Sequence, residues 1–211
     1  MIDLYTWATP NGRKIAIMLE ETGLEYSVYK IHIGQGEQHN PEFLKISPNN
    51  KIPAIIDRDT NVQMMESGAI LLYLAEKTGQ LVPSNDTARW STIEWLMFQM
   101  GGVGPFMGQV HHFTKHNSGV SPYAEERYLN ETKRLYGVLD KRLANTEWLN
   151  DHSYSIADIA VWPWIARHDW QTVNLNDYPN VARWYVKICE RPAVQKGWKI
   201  PPTDQEIPMP V

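Results

Sequence analysis

Residues 8–15 read Ala8-Thr9-Pro10-Asn11-Gly12-Arg13-Lys14-Ile15, set between an apolar run, Ile2–Trp7, and a helix-like run, Lys14–Glu21. A strand that passes into a helix through Thr-Pro-Asn-Gly presents backbone N–H groups with no intrahelical acceptor. Such a turn favours an anion, and a thiolate placed there gains from the positive helix end and from hydroxyl or amide donors. Thr9 offers a hydroxyl and Asn11 an amide, neither a good nucleophile without an activating base. Two readings stand side by side. The turn cradles a sulfur supplied by a bound cofactor, or Thr9 simply caps a helix with Pro10 at its first position.

Outward from this turn, residues 1–80 alternate element types. Tyr26–Ile33 reads as a strand, Pro41–Ile46 as a short helix, and Pro53–Asp57 and Val62–Met65 as further strands. The apolar period switches between about 2 and 3.6, as an α/β unit requires. Glu66-Ser67-Gly68 opens an amphipathic helix, Ala69–Lys77, closed by Gly79. Residues 81–87 read as a linker. Beyond it strand signals vanish, and Arg89–Met100, Tyr123–Asn145, Ile156–His168 and Tyr178–Glu190 read as helices, so residues 88–211 form an all-α domain. Its Pro-rich tail is expected to wrap loosely over the surface.

Composition narrows the class. Apolar residues make up 43% of the 211-residue chain, ample for a packed core. A net charge of −4 without a dense Lys/Arg cluster argues against nucleic-acid and anionic-membrane partners. No signal peptide or membrane span is legible. The single cysteine, Cys189, excludes an internal disulfide, a four-cysteine zinc site and a Cys-x-x-Cys redox pair, which fits a reducing cytoplasm. It lies in a helical pattern where a lone thiol is core filler.

Two further stretches bear on binding. In Ser47-Pro48-Asn49-Asn50-Lys51-Ile52-Pro53, a cis Ile52–Pro53 bond would turn the Ile52 backbone outward, leaving its N–H and C=O to pair with an extended peptide-like ligand. At Met65-Glu66-Ser67-Gly68, Ser67 could hold a carboxylate while Glu66 accepts from an ammonium. Together these imply a zwitterionic ligand.

The ordered stretches "ATPNGRKIAIMLEE", "SPNNKIPAI", "ESGAILLYLAEKTG" and "YSIADIAVWPW" resemble the cytosolic glutathione transferases, most closely the bacterial Nu class, over nearly the whole chain. The resemblance implies an α/β thioredoxin-like N-terminal domain, an all-α C-terminal domain, a homodimer, and glutathione as co-substrate without a metal. It places Thr9 and Asn11 at the glutathione sulfur, Ile52 before a cis Pro53 on the cysteinyl backbone, and Glu66 and Ser67 at the γ-glutamyl end. Gln38 and Lys51 would reach the other peptide groups, and Arg134 would point from the helical domain towards glutathione. The implied chemistry is disulfide reduction, with peroxidase activity and weak conjugation to electrophiles. Thr9 stands where many relatives carry a catalytic Ser, and no Cys occupies the turn, so a covalent protein thiol is not expected. A non-catalytic glutathione-binding or regulatory protein is the alternative; an isomerase is disfavoured by the first turn.

Other motifs carry simpler readings. Ser155-Ile156-Ala157-Asp158 is a capping box, with Asp158 as cap and not catalytic acid, and Pro163 should bend the helix that follows. The glycines of Gly101–Gly108 have the wrong spacing for a dinucleotide and suit a kink with close packing. His112 and His116 have metal-compatible spacing but no third ligand nearby; His112 and Phe113 are expected to line the electrophile cleft. Trp162, Trp164 and Trp170 are expected in the core.

Overall fold

A computed structural model describes residues 1–210. It divides into two units, residues 1–80 with 190–207, and residues 81–189 with the end of the chain.

The first unit is built on strands β1 (Ile2–Thr6), β2 (Tyr26–Lys30), β3 (Ala54–Asp57) and β4 (Val62–Met65) in the order β2-β1-β3-β4. β1 pairs parallel with β2 and antiparallel with β3, which pairs antiparallel with β4. Helix α1 (Pro10–Thr22) links the parallel strands, α2 (Pro41–Ile46) precedes β3, and α3 (Ser67–Thr78) follows β4. This is the thioredoxin-like arrangement expected from sequence. Alternation along β1 sends Ile2, Leu4 and Thr6 to one face and Tyr5 to the other, where it meets Phe43 of α2. On the Thr6 face α1 starts so close to the strand that a Cβ on Gly12 would lie 2.2 Å from the Trp7 carbonyl oxygen. Only glycine fits that approach.

The C-terminal segment departs from the boundary read from sequence, which assigned it to the helical domain. Residues 190–207 belong with the first unit. Helix α9 (Pro192–Trp198) lies on α1, where a Cβ on Gly197 would fall 2.7 Å from Ile17 Cα. The tail is also held: the buried Arg13 guanidinium sits 3.3 Å over the Trp198 ring and donates to Gln205 Oε1 at 2.8 Å. A stacked, hydrogen-bonded guanidinium anchors chain that composition alone reads as loose.

The second unit contains α4 (Asp86–Phe98), α5 (Gly104–Val110), α6 (Pro122–Leu143), α7 (Ile156–Ile165) and α8 (Pro179–Cys189). Every residue of α7 is buried. The expected capping box starts it: Asp158 accepts from the Ser155 N–H and the Leu149 N–H, and also from Trp184 Nε1 at 2.9 Å. Wide π-helical turns at Gln99–Val103 and His111–His116 flank α5. There a Cβ on Gly104 would lie 2.7 Å from Gln99 Nε2, so close packing holds at that glycine, whereas Gly108 meets the Trp164 ring at an ordinary contact distance of 3.6 Å. Trp162 and Trp164 are buried, whereas Trp170 is half-exposed and takes Arg167 against its ring. Among the described residues no helix is long and apolar enough to cross a membrane.

Candidate functional site

The register of the sheet brings the sequence-derived residues of the first unit to one edge. Thr6 ends β1, Tyr5 pairs with Ala54 at the start of β3, and Ala54 pairs with Met65 at the end of β4. The β1–α1 turn with Thr9 and Asn11, the Ile52–Pro53 peptide and the Glu66–Ser67 junction therefore emerge together. The parallel end of β2 joins them, since the Ile31 N–H donates to the Thr6 carbonyl at 3.0 Å. Just beyond it, the helical turn Glu37–His39 carries Gln38.

At the first turn Thr9 is extended (φ −118°, ψ 163°), Pro10 occupies the first helical position, and Thr9 Oγ1 accepts from the Gly12 N–H at 3.2 Å. The residue is therefore a cap, and its hydroxyl proton still has a second partner to find. The Ile52–Pro53 bond is cis. The loop before it is fixed by Ser47 Oγ, which donates to the Lys51 carbonyl at 2.8 Å, while the Lys51 side chain stays exposed. Glu66 adopts φ 71°, a left-handed conformation rare for a non-glycine residue, and makes no side-chain capping bond. Its strained backbone leaves the carboxylate exposed at the head of α3 beside the buried Ser67.

Beneath this pair lies a residue to which the sequence reading gave no role. Lys14 is fully buried and its ammonium donates to Ser67 Oγ at 3.1 Å. Burial lowers its pKa to about 7, and the nearby Glu66 carboxylate acts in the opposite direction. Arg13 and Lys14 near a helix start oppose the helix dipole, a signal in the sequence that these cations serve something other than solvation. His32 was missed as well: its ring lies 4.2 Å from that of Trp7, with Nδ1 buried and unpartnered. Gln38 Oε1 is a second buried acceptor without a partner. Native structures leave few such atoms unpaired, and two at one sheet edge fit a site that receives a polar ligand. The donor and acceptor set, with a carboxylate beside a lysine-backed serine, suits a zwitterionic peptide such as glutathione.

In the second unit, Arg134 on α6 makes a two-pronged ion pair with Glu131, both contacts 2.7 Å. Both residues line an open cavity of about 620 Å³ that also includes Phe106, Tyr123 and Arg127. His112 meets Phe113 edge-on, and Phe113 stacks on Tyr128, which also contacts Phe106. His111 is the more deeply set histidine; burial, with the Arg167 charge, lowers its pKa to about 4. Cys189 lies buried at the end of α8 with its Sγ 3.5 Å from Met209 Sδ. Among the described residues no cluster of His, Cys, Asp and Glu could hold a metal ion.

Comparison with known proteins agrees with this geometry. Residues 1–76 match the glutathione S-transferase N-terminal domain, and residues 105–192 the corresponding C-terminal domain. The chain is 52% identical over 198 residues to the disulfide-bond oxidoreductase YfcG of Escherichia coli K12, covering 92% of each chain. A glutathione transferase family member from Pseudomonas fluorescens Pf-5, solved with two glutathione bound, superposes with a TM-score of 0.89 at 47% identity, covering 93% of this chain and 92% of that one. A glutathione transferase from Pseudomonas putida, solved with one glutathione disulfide per subunit, gives 0.89 at 45% identity, covering 95% and 91%.

Proposed function

The chain belongs to the glutathione S-transferase family, and from that premise we propose that it is a glutathione-dependent disulfide reductase in which bound glutathione supplies the reacting sulfur. The observation that carries this reading is the convergence of the Thr9–Asn11 turn, the Ile52–Pro53 peptide and the Glu66–Ser67 junction at one sheet edge. Thr9 and Asn11 face the sulfur. The Ile52 N–H and C=O clamp the cysteinyl backbone as an added strand would. Glu66 takes the ammonium and Ser67 the carboxylate of the γ-glutamyl end, while Gln38 and Lys51 reach the other peptide groups. By the family resemblance Arg134 is assigned to the same ligand, and His112 and Phe113 to the second substrate.

The α1 terminus and the Thr9 and Asn11 donors lower the pKa of the bound thiol, and the thiolate is the form that reacts. It attacks one sulfur of a small disulfide; a new S–S bond forms and the electron pair of the broken bond leaves on the departing thiolate. A second glutathione thiolate displaces the remaining half, giving oxidised glutathione and two reduced product thiols. The same thiolate can attack one oxygen of a peroxide, forming a glutathione sulfenic acid as the O–O electron pair leaves on alkoxide or hydroxide, and a second glutathione thiol then condenses with it to oxidised glutathione and water. The protein contributes orientation and electrostatics. The Nu class is the nearest grouping by motif, and the thiol-rich chemistry and single cysteine favour the cytoplasm. A homodimer is supported by Trp90 and Met97 of α4, which lie two turns apart and are 64% and 49% exposed.

The test is glutathione-dependent reduction of a small symmetrical disulfide, coupled to glutathione reductase, for the parent and Asn11→Ala. Turnover by the parent with strong impairment of the variant is expected. Glutathione binding by the parent without turnover would move the chain to the non-catalytic alternative.

A further inference from the structure

Strand pleating puts Tyr5 of β1, Ile56 of β3 and Gln63 of β4 on one face of the sheet, opposite to Leu4 and Ile55. Helix α2 leans on this face through Phe43, whose ring centroid lies 6.2 Å from that of Tyr5. With six residues, Pro41–Ile46, it is only about 9 Å long and leaves part of the face uncovered. Between α2 and the strands opens a cavity of about 530 Å³, within the range that small organic ligands occupy. None of the residues assigned to glutathione lines it.

The lining specifies the chemistry of a ligand. Tyr5 stacks on Tyr29 with centroids 4.8 Å apart, and Phe43, Ile46 and Ile56 complete an apolar, ring-rich floor. The polar groups at the rim divide by whether they are already engaged. The Glu37 carboxylate accepts from the His32 N–H, and Glu42 is paired with Lys45 at 2.6 Å. Asn40 Oδ1 accepts from the Glu42 N–H at 2.9 Å. Among the described residues, the Lys30 ammonium has no carboxylate partner and the Tyr5 hydroxyl no hydrogen bond, although both residues line the cavity. A cation and a hydroxyl left over beside an aromatic floor fit an anion with a flat apolar body.

We propose that this cavity is a second binding site, separate from that of glutathione, for a planar aromatic carboxylate. The ring system lies on Tyr5, Phe43 and Ile56, and the carboxylate meets the Lys30 ammonium. The site is independent of the glutathione reading. Gln38, assigned to glutathione, lies between Glu37 and Asn40, so the two sites share the segment between β2 and α2 but no side chain.

The experiment titrates 2-naphthoate, and separately its neutral amide, into protein labelled at the isoleucine methyls, with glutathione in excess, and follows the methyl resonances. Ile31, Ile46 and Ile56 line the cavity, whereas Ile52 reports the glutathione site. The acid is expected to shift the three cavity methyls with half-saturation at about 1 mM or below, as the size of the probe allows. The amide should bind about fivefold more weakly. Lys30→Gln should lower the affinity of the acid to that of the amide, and leave both the amide and glutathione-dependent disulfide reduction as in the parent. Gln63→Glu, which adds a like charge at an exposed position of the lining, should weaken the acid and spare the amide. Cavity methyls that stay in place up to about 5 mM acid, or movement confined to Ile52, would overturn the site. Equal affinities for acid and amide in the parent would overturn the assignment of an anion, and parent-like binding of the acid by Lys30→Gln would overturn the role of Lys30.

Discussion

The hydroxyl of Thr9 accepts a hydrogen bond from the backbone N–H of Gly12 at 3.2 Å, so the residue that faces the proposed sulfur position also caps the helix whose positive end stabilises it. Both roles use one oxygen, and they separate on substitution. Thr9→Ala should cost about 1 kcal/mol of stability through the lost cap. It should also lower glutathione-dependent kcat at temperatures where the variant is fully folded. Thr9→Ser should restore both. Urea unfolding and initial rates, measured together, check this; parent-like kcat in Thr9→Ala would remove the hydroxyl from the chemistry.

Glycine to alanine inside a helix ordinarily stabilises by up to about 1 kcal/mol. Gly12→Ala should do the opposite, because the new methyl would lie 2.2 Å from the Trp7 carbonyl oxygen and 2.5 Å from Thr6 Oγ1. A loss of about 2 kcal/mol or more is expected, since strand or helix backbone must move. Urea denaturation of the variant measures it, and a neutral or stabilising result would mean that α1 starts farther from β1 than described.

Asp57 at the end of β3 is buried, accepts from Tyr73 Oη at 2.6 Å and meets Lys77 Nζ at 2.8 Å. Burial pushes its pKa up, but the bonds from Lys77 and Tyr73 outweigh that and hold it at about 2. A carboxylate depressed by folding contributes stability above its ordinary pKa of about 4, and loses it as pH falls through about 2; the amount is about 2 kcal/mol. Stability of the parent should therefore decline across that window. Asp57→Asn should be less stable at neutral pH and show a shallower acid limb, read from unfolding midpoints against pH.

What was legible in the sequence was local. Thr9-Pro10 marked a helix start, Pro53 a strand entrance, and Ser155 with Asp158 a capping box, because each signal lies within a few residues of the structure it produces. The alternation of periods gave the α/β unit and the helical unit. Gln38 and Lys51 came from the family resemblance alone, since a loop glutamine and lysine have no pattern of their own. Lys14 and Arg13 escaped because charged residues on a helix read as solvent-facing, and only long-range packing buries them beneath Ser67 and Trp198. The tail misled for the same reason: its prolines suggest a loose strap, but α9 and the Arg13 anchor tie it to the first unit. His112 drew attention by spacing, whereas burial singles out His111.

If the α4 face carrying Trp90 and Met97 meets a second copy of the chain, a charge placed there should separate the copies. Trp90→Glu is expected to sediment as a monomer at concentrations where the parent is a dimer, with its far-ultraviolet spectrum unchanged. A parent that sediments as a monomer, or a dimeric Trp90→Glu, would contradict that interface.

In the proposed mechanism the reacting sulfur belongs to glutathione and not to the protein. Its most direct test is glutathione-dependent disulfide reduction by Cys189→Ser, with mass spectrometry of the parent quenched during turnover. A parent-like rate and no glutathione or substrate adduct on the chain are expected, consistent with Cys189 buried against Met209. Loss of activity in Cys189→Ser together with a mixed disulfide on Cys189 in the parent would contradict it.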